Sequence, residues 1–282
     1  VAFGVFDGVH LGHQGILTHI ARRARELGAV PVAIVFRPRP GDVLGLAPLR
    51  PYLSSEGETT NRIRALGVEH VAILRFTRKL ALCRAKAFLT SLSRRVPMRE
   101  LWLGPDARVG RGPTGVPDAV AQIGEELGFR TGVFGCGSGA GAGYFPTSGD
   151  IEGLNEWLGR RYALTCYVGH PLRRISAELM ECEVVTPETL FVPPPGHYAV
   201  EGHLPGGSRS AAALMIVREF PETGMPAASL IAHRRLGWAG SHMRIEFLSR
   251  WQPEPVDVHC WAVHVVKTQG TADTRNRGRK GR

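Results

Sequence analysis

The stretch Gly4-Val5-Phe6-Asp7-Gly8-Val9-His10-Leu11-Gly12-His13 decides how the rest of the chain is read. An apolar strand over residues 1–6 runs into a tight turn at Asp7 and Gly8, and a helix carrying His10 and His13 on one face follows. Glycines let backbone N–H groups approach an anion closely, a new helix N-terminus adds its positive dipole end, and imidazoles three residues apart reach the same group of oxygens. The stretch therefore has the outline of a phosphate site.

Working outward, residues 14–27 place Ile16, Leu17, Ile20, Ala21, Ala24 and Leu27 at helical spacing, and Gly28 closes the helix. Residues 30–36 form a short β-branched run stopped by Arg37-Pro38-Arg39-Pro40, which predicts a strand buried on both faces. A helix over 56–66, a second buried strand over 68–74, a helix over 79–93, a strand over 100–103, a helix over 118–127 and a strand over 131–134 continue the rhythm. Such alternation predicts a parallel sheet with helices on both faces, an α/β fold whose ligands sit beyond the carboxyl ends of the strands. Residues 4–13 and 36–40 both fall at that edge. The Gly- and Ala-rich run 135–143 lacks the spacing and the basic residue of a phosphate loop and reads as a flexible loop. A last helix over 150–158 ends at Gly159, with a domain boundary placed near 160–162.

Beyond that boundary, short strand-like runs at 163–168, 181–185, 197–200, 211–217, 229–233, 243–248 and 258–266 are separated by Pro- and Gly-rich turns, which predicts a smaller antiparallel β-barrel or sandwich. The expected division is 1–160, 161–266 and a basic tail, 267–282, read as a solvated, disordered end rather than a nucleic-acid arm. With 282 residues and a hydrophobic fraction of 43%, two cores are expected, and a net charge of +10 suits anionic partners such as nucleotides. Five scattered cysteines without a Cys-x-x-Cys pair argue against a disulfide framework or a zinc site and point to a reduced, cytoplasmic protein. No run is long enough to span a bilayer, no leader-like segment precedes Val1, and the start inside a strand reads as a trimmed N-terminus.

These residues carry a family resemblance. Gly-x-Phe-Asp-Gly-Val-His-x-Gly-His resembles the signature of prokaryotic bifunctional FAD synthetases, which join a Rossmann-like nucleotidyltransferase domain to a riboflavin kinase barrel. Further landmarks follow in the same order: Phe36-x-Pro38-x-Pro40, Leu66-Gly67-Val68-Glu69-His70-Val71, Phe76-Thr77, Gly104-x-Asp106 with Gly110, Gly149-Asp150-Ile151, Leu158-Gly159-Arg160-x-Tyr162 and Ile245-Glu246-Phe247-Leu248. The resemblance implies transfer of AMP from ATP to FMN, giving FAD and pyrophosphate, with Mg²⁺ accompanying ATP. It implies small-molecule partners, a nucleotide and a flavin, rather than nucleic acid or membrane, and leaves the oligomeric state open. On this reading His10 and His13 are catalytic and contact ATP phosphates. Gly4, Phe6, Asp7, Gly8 and Gly12 form the nucleotide-binding turn, and Phe36, Pro38, Asp106 and Gly110 lie near the flavin. No resident metal is implied. Asp106 reads equally as a turn former.

The departures are as specific as the matches. The family's Ser-Ser-Thr-x-x-Arg grip is replaced, by ungapped counting from Gly149, by the run 137–143. Aromatic residues flanking Asp106 in the family are Ala107 and Val109 here. In the second half the family's Gly-x-Pro-Thr-Ala-Asn segment corresponds to Arg174-Ile175-Ser176-Ala177-Glu178-Leu179, and its catalytic Glu to Ala228. A hydroxyl nucleophile needs a base, so riboflavin kinase activity is expected to be lost. The alternatives are a catalytically impaired paralogue that binds ATP or a flavin, and a nucleotidyltransferase with another phosphorylated acceptor.

Overall fold

The computed structural model describes residues 1–46, 48–112, 115–135, 149–205, 210–219 and 226–251. The chain divides into two compact units, Val1–Tyr144 and Phe145–Arg282. The run 137–143, the expected strand 258–266 and the basic tail 267–282 lie outside the described residues.

In the first unit β1 (Ala2–Gly4), β2 (Val32–Arg37), β3 (His70–Arg75), β4 (Glu100–Leu103) and β5 (Arg130–Val133) form one parallel sheet in the order β3-β2-β1-β4-β5. The chain leaves β1 toward β2 and β3, then crosses back to β4 on the other side, so the strand order reverses beside β1. Ligand sites of doubly wound sheets form outside the carboxyl ends of the strands at such a reversal. Helix α1 (Leu11–Glu26) buries Ile16, Leu17, Ile20 and Ala21 in one core with Ala2, Ala33, Val35 and Ile63. Each of the larger side chains contributes about 2 kcal/mol by burial. The opposite core collects Leu89, Leu101, Leu103, Val120 and Ile123.

Local chemistry fixes the helix ends. After the short α2 (Pro40–Leu44) comes α3 (Glu56–Ala65), in which the Ser55 hydroxyl accepts the Glu58 N–H at 3.1 Å. Helix α6 (Pro117–Leu127) opens on a proline, whose missing N–H costs nothing there, and stops at Gly128 in the left-handed region (φ 81°).

Two expectations are corrected. The strand expected over 68–74 is not buried on both faces: β3 is an edge of the sheet and most of its residues are exposed. An apolar run reports what its residues are, not how many neighbouring strands cover them. The single helix expected over 79–93 is two, α4 (Arg78–Ala81) and α5 (Ala85–Arg95). The Thr77 hydroxyl caps α4 at Leu80 N, and the chain between the helices pairs with the loop after β4, Arg111 N donating to Cys83 O at 2.8 Å.

Preceding β11 (Ser241–Trp251) in the second unit are β6 (Ala163–Arg174), β7 (Leu179–Val185), β8 (Gly196–His203), β9 (Ser210–Glu219) and β10 (Pro226–His233). The six close into a barrel in the order β10-β7-β6-β11-β8-β9, antiparallel throughout. Alternate residues turn inward, and Tyr198, Phe247, Leu164, Ile245 and Met243 are fully or almost fully buried. Helix α7 (Ile151–Leu158) falls in this unit: Asn155 donates to Phe247 O at 3.0 Å and accepts from Tyr162 N at 2.6 Å. The sequence places the same helix before its boundary. Among the described residues no helix is long and apolar enough to cross a membrane, and Cys83, Cys166 and Cys182 are free thiols.

Candidate functional site

The quoted stretch leaves β1, the central strand, and doubles back at once. Phe6 (φ 49°), Gly8 (φ 67°) and Val9 (φ 45°) lie in the left-handed region, two of them without glycine's freedom. Each such non-glycine residue costs about 1–2 kcal/mol and persists only where the surroundings over-determine it. Phe6 and Val9 are buried in the α1 core, Gln14 Nε2 donates to Val9 O at 2.9 Å, and Gly8 N donates to Ser54 Oγ at 3.1 Å. The Gly8 amide is thus committed inside the protein rather than presented to a ligand.

Helix α1 begins at Leu11, so His10 is its N-cap residue rather than a member of the helical face, and no side chain caps that end. His10 is buried, and its ring stacks on His13 with centroids 3.6 Å apart and planes 30° apart. Phe6 meets His13 edge-on at 5.1 Å. The buried His13 Nδ1 has no hydrogen-bond partner among the described residues. Burial, and then the charge His10 would carry, hold His13 well below the ordinary imidazole value, so it stays neutral at neutral pH. Gly12 is buried in the first turn of α1.

Asp7 sits in a web of hydrogen bonds. Arg39 Nη2 donates to Asp7 Oδ2 at 2.6 Å, while Leu53 N and Ser54 N donate to Oδ1 at 3.0 and 3.3 Å. Arg37 Nη2 donates to Ser54 O at 2.9 Å, and both guanidiniums lie over the Tyr52 ring, 3.7 and 3.9 Å from its centroid. The carboxylate ties Leu53 and Ser54 to the turn, and Arg39 extends the web to the carbonyls of Arg50 and Pro51. Sequence reading missed Arg37, Arg39, Tyr52 and Ser54. The Arg37-Pro38-Arg39-Pro40 run at the carboxyl end of β2 is the signal that could have found the arginines.

Beside the turn, at the same edge of the sheet, opens a cavity of about 340 Å³ whose wall includes Gly4 and Val5. Its floor is aromatic: Phe3 and Phe36, Phe36 and Phe76, and Phe3 and Phe88 each meet edge to face with centroids 5.8 Å apart. Leu44 and Leu46, both exposed, stand at its mouth. Of the four expected flavin neighbours, Phe36 and Gly110 line the cavity, whereas Pro38 and Asp106 do not. Asp106 is exposed in a turn closed by Ala107 N donating to Gly104 O at 3.1 Å. The aromatic surface missing beside Asp106 is supplied instead by four phenylalanines from β1, β2, the chain after β3, and α5.

The barrel offers less polar chemistry where the resemblance expects it. Ala228 is a buried residue of β10, opposite Val184 and Val217. Residues 174–179 span a hairpin turn in which the Ser176 hydroxyl accepts from Glu178 N and Leu179 N. The buried carboxylate nearby in β10's partner strand is Glu181, which accepts from Ser229 Oγ and Arg173 Nε, both at 2.6 Å, and from Arg218 Nη2 at 3.3 Å. Burial alone would raise its pKa, but these partners outweigh it and the net shift is down, as befits an ion-pair anchor and not a base. Glu201, His203 and Glu246 lie close enough to share a cation, yet Arg161 already bridges both carboxylates and Arg244 holds the second.

The model of the FAD synthetase family matches residues 1–136. Over that stretch, just under half of the chain, the sequence is similar to the FAD synthetase family. A relative from Geobacillus thermodenitrificans is 36% identical over 115 residues, 41% of this chain and 62% of the relative. The protein named bifunctional riboflavin kinase/FMN adenylyltransferase from Escherichia coli K12 is 28% identical over 130 residues, 46% of this chain and 42% of its own length. The first relatives are thus matched over less than two thirds of their length. The Bacillus subtilis protein of the same name is matched more fully, at 27% identity over 220 residues, 73% of this chain and 68% of the relative. A solved structure titled as a macrolide-efflux protein from Streptococcus pneumoniae superposes with a TM-score of 0.77 at 16% identity, covering 99% of this chain and 94% of that one. At that identity the likeness shows the shared fold alone. The FAD synthetase family match covers the sheet, the strained turn and the aromatic cavity, and stops before the barrel.

Proposed function

We propose that this chain is a member of the FAD synthetase family and transfers AMP from ATP to FMN, releasing pyrophosphate. The observation that carries the reading is the adjacency of two sites on one strand end: the histidine-bearing turn that follows β1, and a phenylalanine-lined cavity whose wall includes Gly4 and Val5 of the same segment. A flat apolar ring system fits the cavity and a polyphosphate suits the turn.

The acceptor phosphate is already an anion, so no side chain has to remove a proton from it. An oxygen of the FMN phosphate attacks the α-phosphorus of ATP, the bond to the bridging oxygen breaks, and pyrophosphate leaves with that electron pair. Catalysis rests on alignment and on offsetting charge in the leaving group. The His10 and His13 rings donate N–H to phosphate oxygens. Magnesium enters with ATP as its counter-ion. The barrel, with Ala228 where the resemblance expects a carboxylate, is proposed to make no FMN from riboflavin.

Incubation of the protein with ATP, FMN and Mg²⁺ should yield FAD and pyrophosphate in equal amounts, and incubation with riboflavin and Mg-ATP should yield no FMN. Nucleotide binding without FAD formation would sink the transferase reading. FMN formed from riboflavin would sink the claim about the barrel.

A further inference from the structure

Among the described side chains lining the aromatic cavity, Arg108 alone is charged. The loop that carries it is pinned on both sides. Before it, Ala107 N donates to Gly104 O at 3.1 Å. After it, the buried Val109 donates its N–H to Gly115 O at 2.9 Å, and Arg111 N donates to Cys83 O at 2.8 Å. Gly110 is packed so closely against the start of α5 that a Cβ there would lie 2.6 Å from Ala85 N and Cys83 O. Arg108 is exposed, and among the described residues no carboxylate lies within ion-pair distance of it. A guanidinium carried by a pinned backbone at the rim of an otherwise apolar, aromatic cavity suits a ligand that joins a flat ring to an anionic group, because a bidentate fork matches phosphate oxygens.

Resting on the acceptor reading above, we infer that Arg108 is the specificity-determining residue that selects a phosphorylated flavin over its unphosphorylated form, by pairing with the phosphate while the ring occupies the phenylalanine-lined cavity. The selection matters chemically, since only the phosphorylated flavin carries the nucleophile. The reaction supplying this acceptor is therefore a phosphorylation of the flavin side chain.

The test is titration of the full chain with FMN and with riboflavin, followed by quenching of flavin fluorescence. Charge-assisted pairs contribute enough that FMN should bind the wild type roughly tenfold or more tightly than riboflavin. Arg108→Ala should erase that preference and leave riboflavin affinity within about twofold, Arg108→Lys should keep part of it, and Arg108→Glu should reverse it. Equal affinities in the wild type, an undiminished preference in Arg108→Ala, or loss of both flavins by Arg108→Ala would overturn the assignment and leave the acceptor reading standing. If the wild type bound neither flavin, the acceptor reading would fall with it.

Discussion

Two strand-linked stretches of this chain invite comparison, the turn Phe6–His13 after β1 and the middle of β10 around Ala228. The first packs three residues of positive φ, two stacked imidazoles and a carboxylate web into eight positions. The second places a small apolar residue, buried and regular in its ladder, where the resemblance expects an acid. Strain and buried polarity cost stability and persist where surrounding structure enforces them. A β-ladder filled by alanine carries no such cost and no such chemistry. One chain therefore holds a turn maintained against its own local energetics and, around Ala228, a regular ladder free of such strain.

Mutations can break this contrast. His10→Ala should cut FAD formation by about 100- to 1000-fold, as loss of a preorganised donor typically does, while thermal unfolding stays close to wild type. A comparable loss of stability would make His10 a core residue instead. Asp7→Ala should lower stability by about 3 kcal/mol, since it strips a largely buried carboxylate from Arg39 and from the amides of Leu53 and Ser54. Urea unfolding measures this, and an effect under about 1 kcal/mol would mark the web as a surface ion pair. Gly110→Ala should cost about 2 kcal/mol through its positive φ and its contact with Ala85 and Cys83, with Gly41→Ala, which meets nothing, as the control.

The smallest effect concerns pH. The folded-state pKa of His13 lies well below 6.5, so as pH falls through 6.5 the unfolded chain takes up a proton that the folded one refuses. Stability should therefore fall with acidification below pH 6.5, by at most about 1.4 kcal/mol per pH unit from this group. His13→Asn should flatten that slope in urea midpoints measured across the window, and an unchanged slope would exclude His13 as its source.

Much of the α/β unit is legible along the chain. The order of strands and helices, the stop at Gly128 and the position of the turn follow from apolar periodicity and from residues with restricted or unusual backbone freedom, and these are local properties. The histidines are legible as a pair, although His10 proves to occupy the N-cap position of α1 rather than its helical face. The aromatic cavity is not legible: Ala107 and Val109 spell the loss of aromatic cover, and nothing in the spacing of Phe3, Phe36, Phe76 and Phe88 says that they meet. The split between α4 and α5 was hidden for the same reason, since it depends on Arg111 reaching Cys83 from a distant loop.

By itself the sequence determined which segments become strands and helices, where the chain turns, and that two imidazoles follow a glycine-bearing turn. Only the tertiary structure decided that β3 is an edge, that Asp7 faces Arg39 instead of solvent, and that four phenylalanines and Arg108 enclose one cavity. Periodicity and capping act within a few residues, whereas strand order and side-chain neighbours depend on contacts between segments far apart in the chain, which no local pattern records.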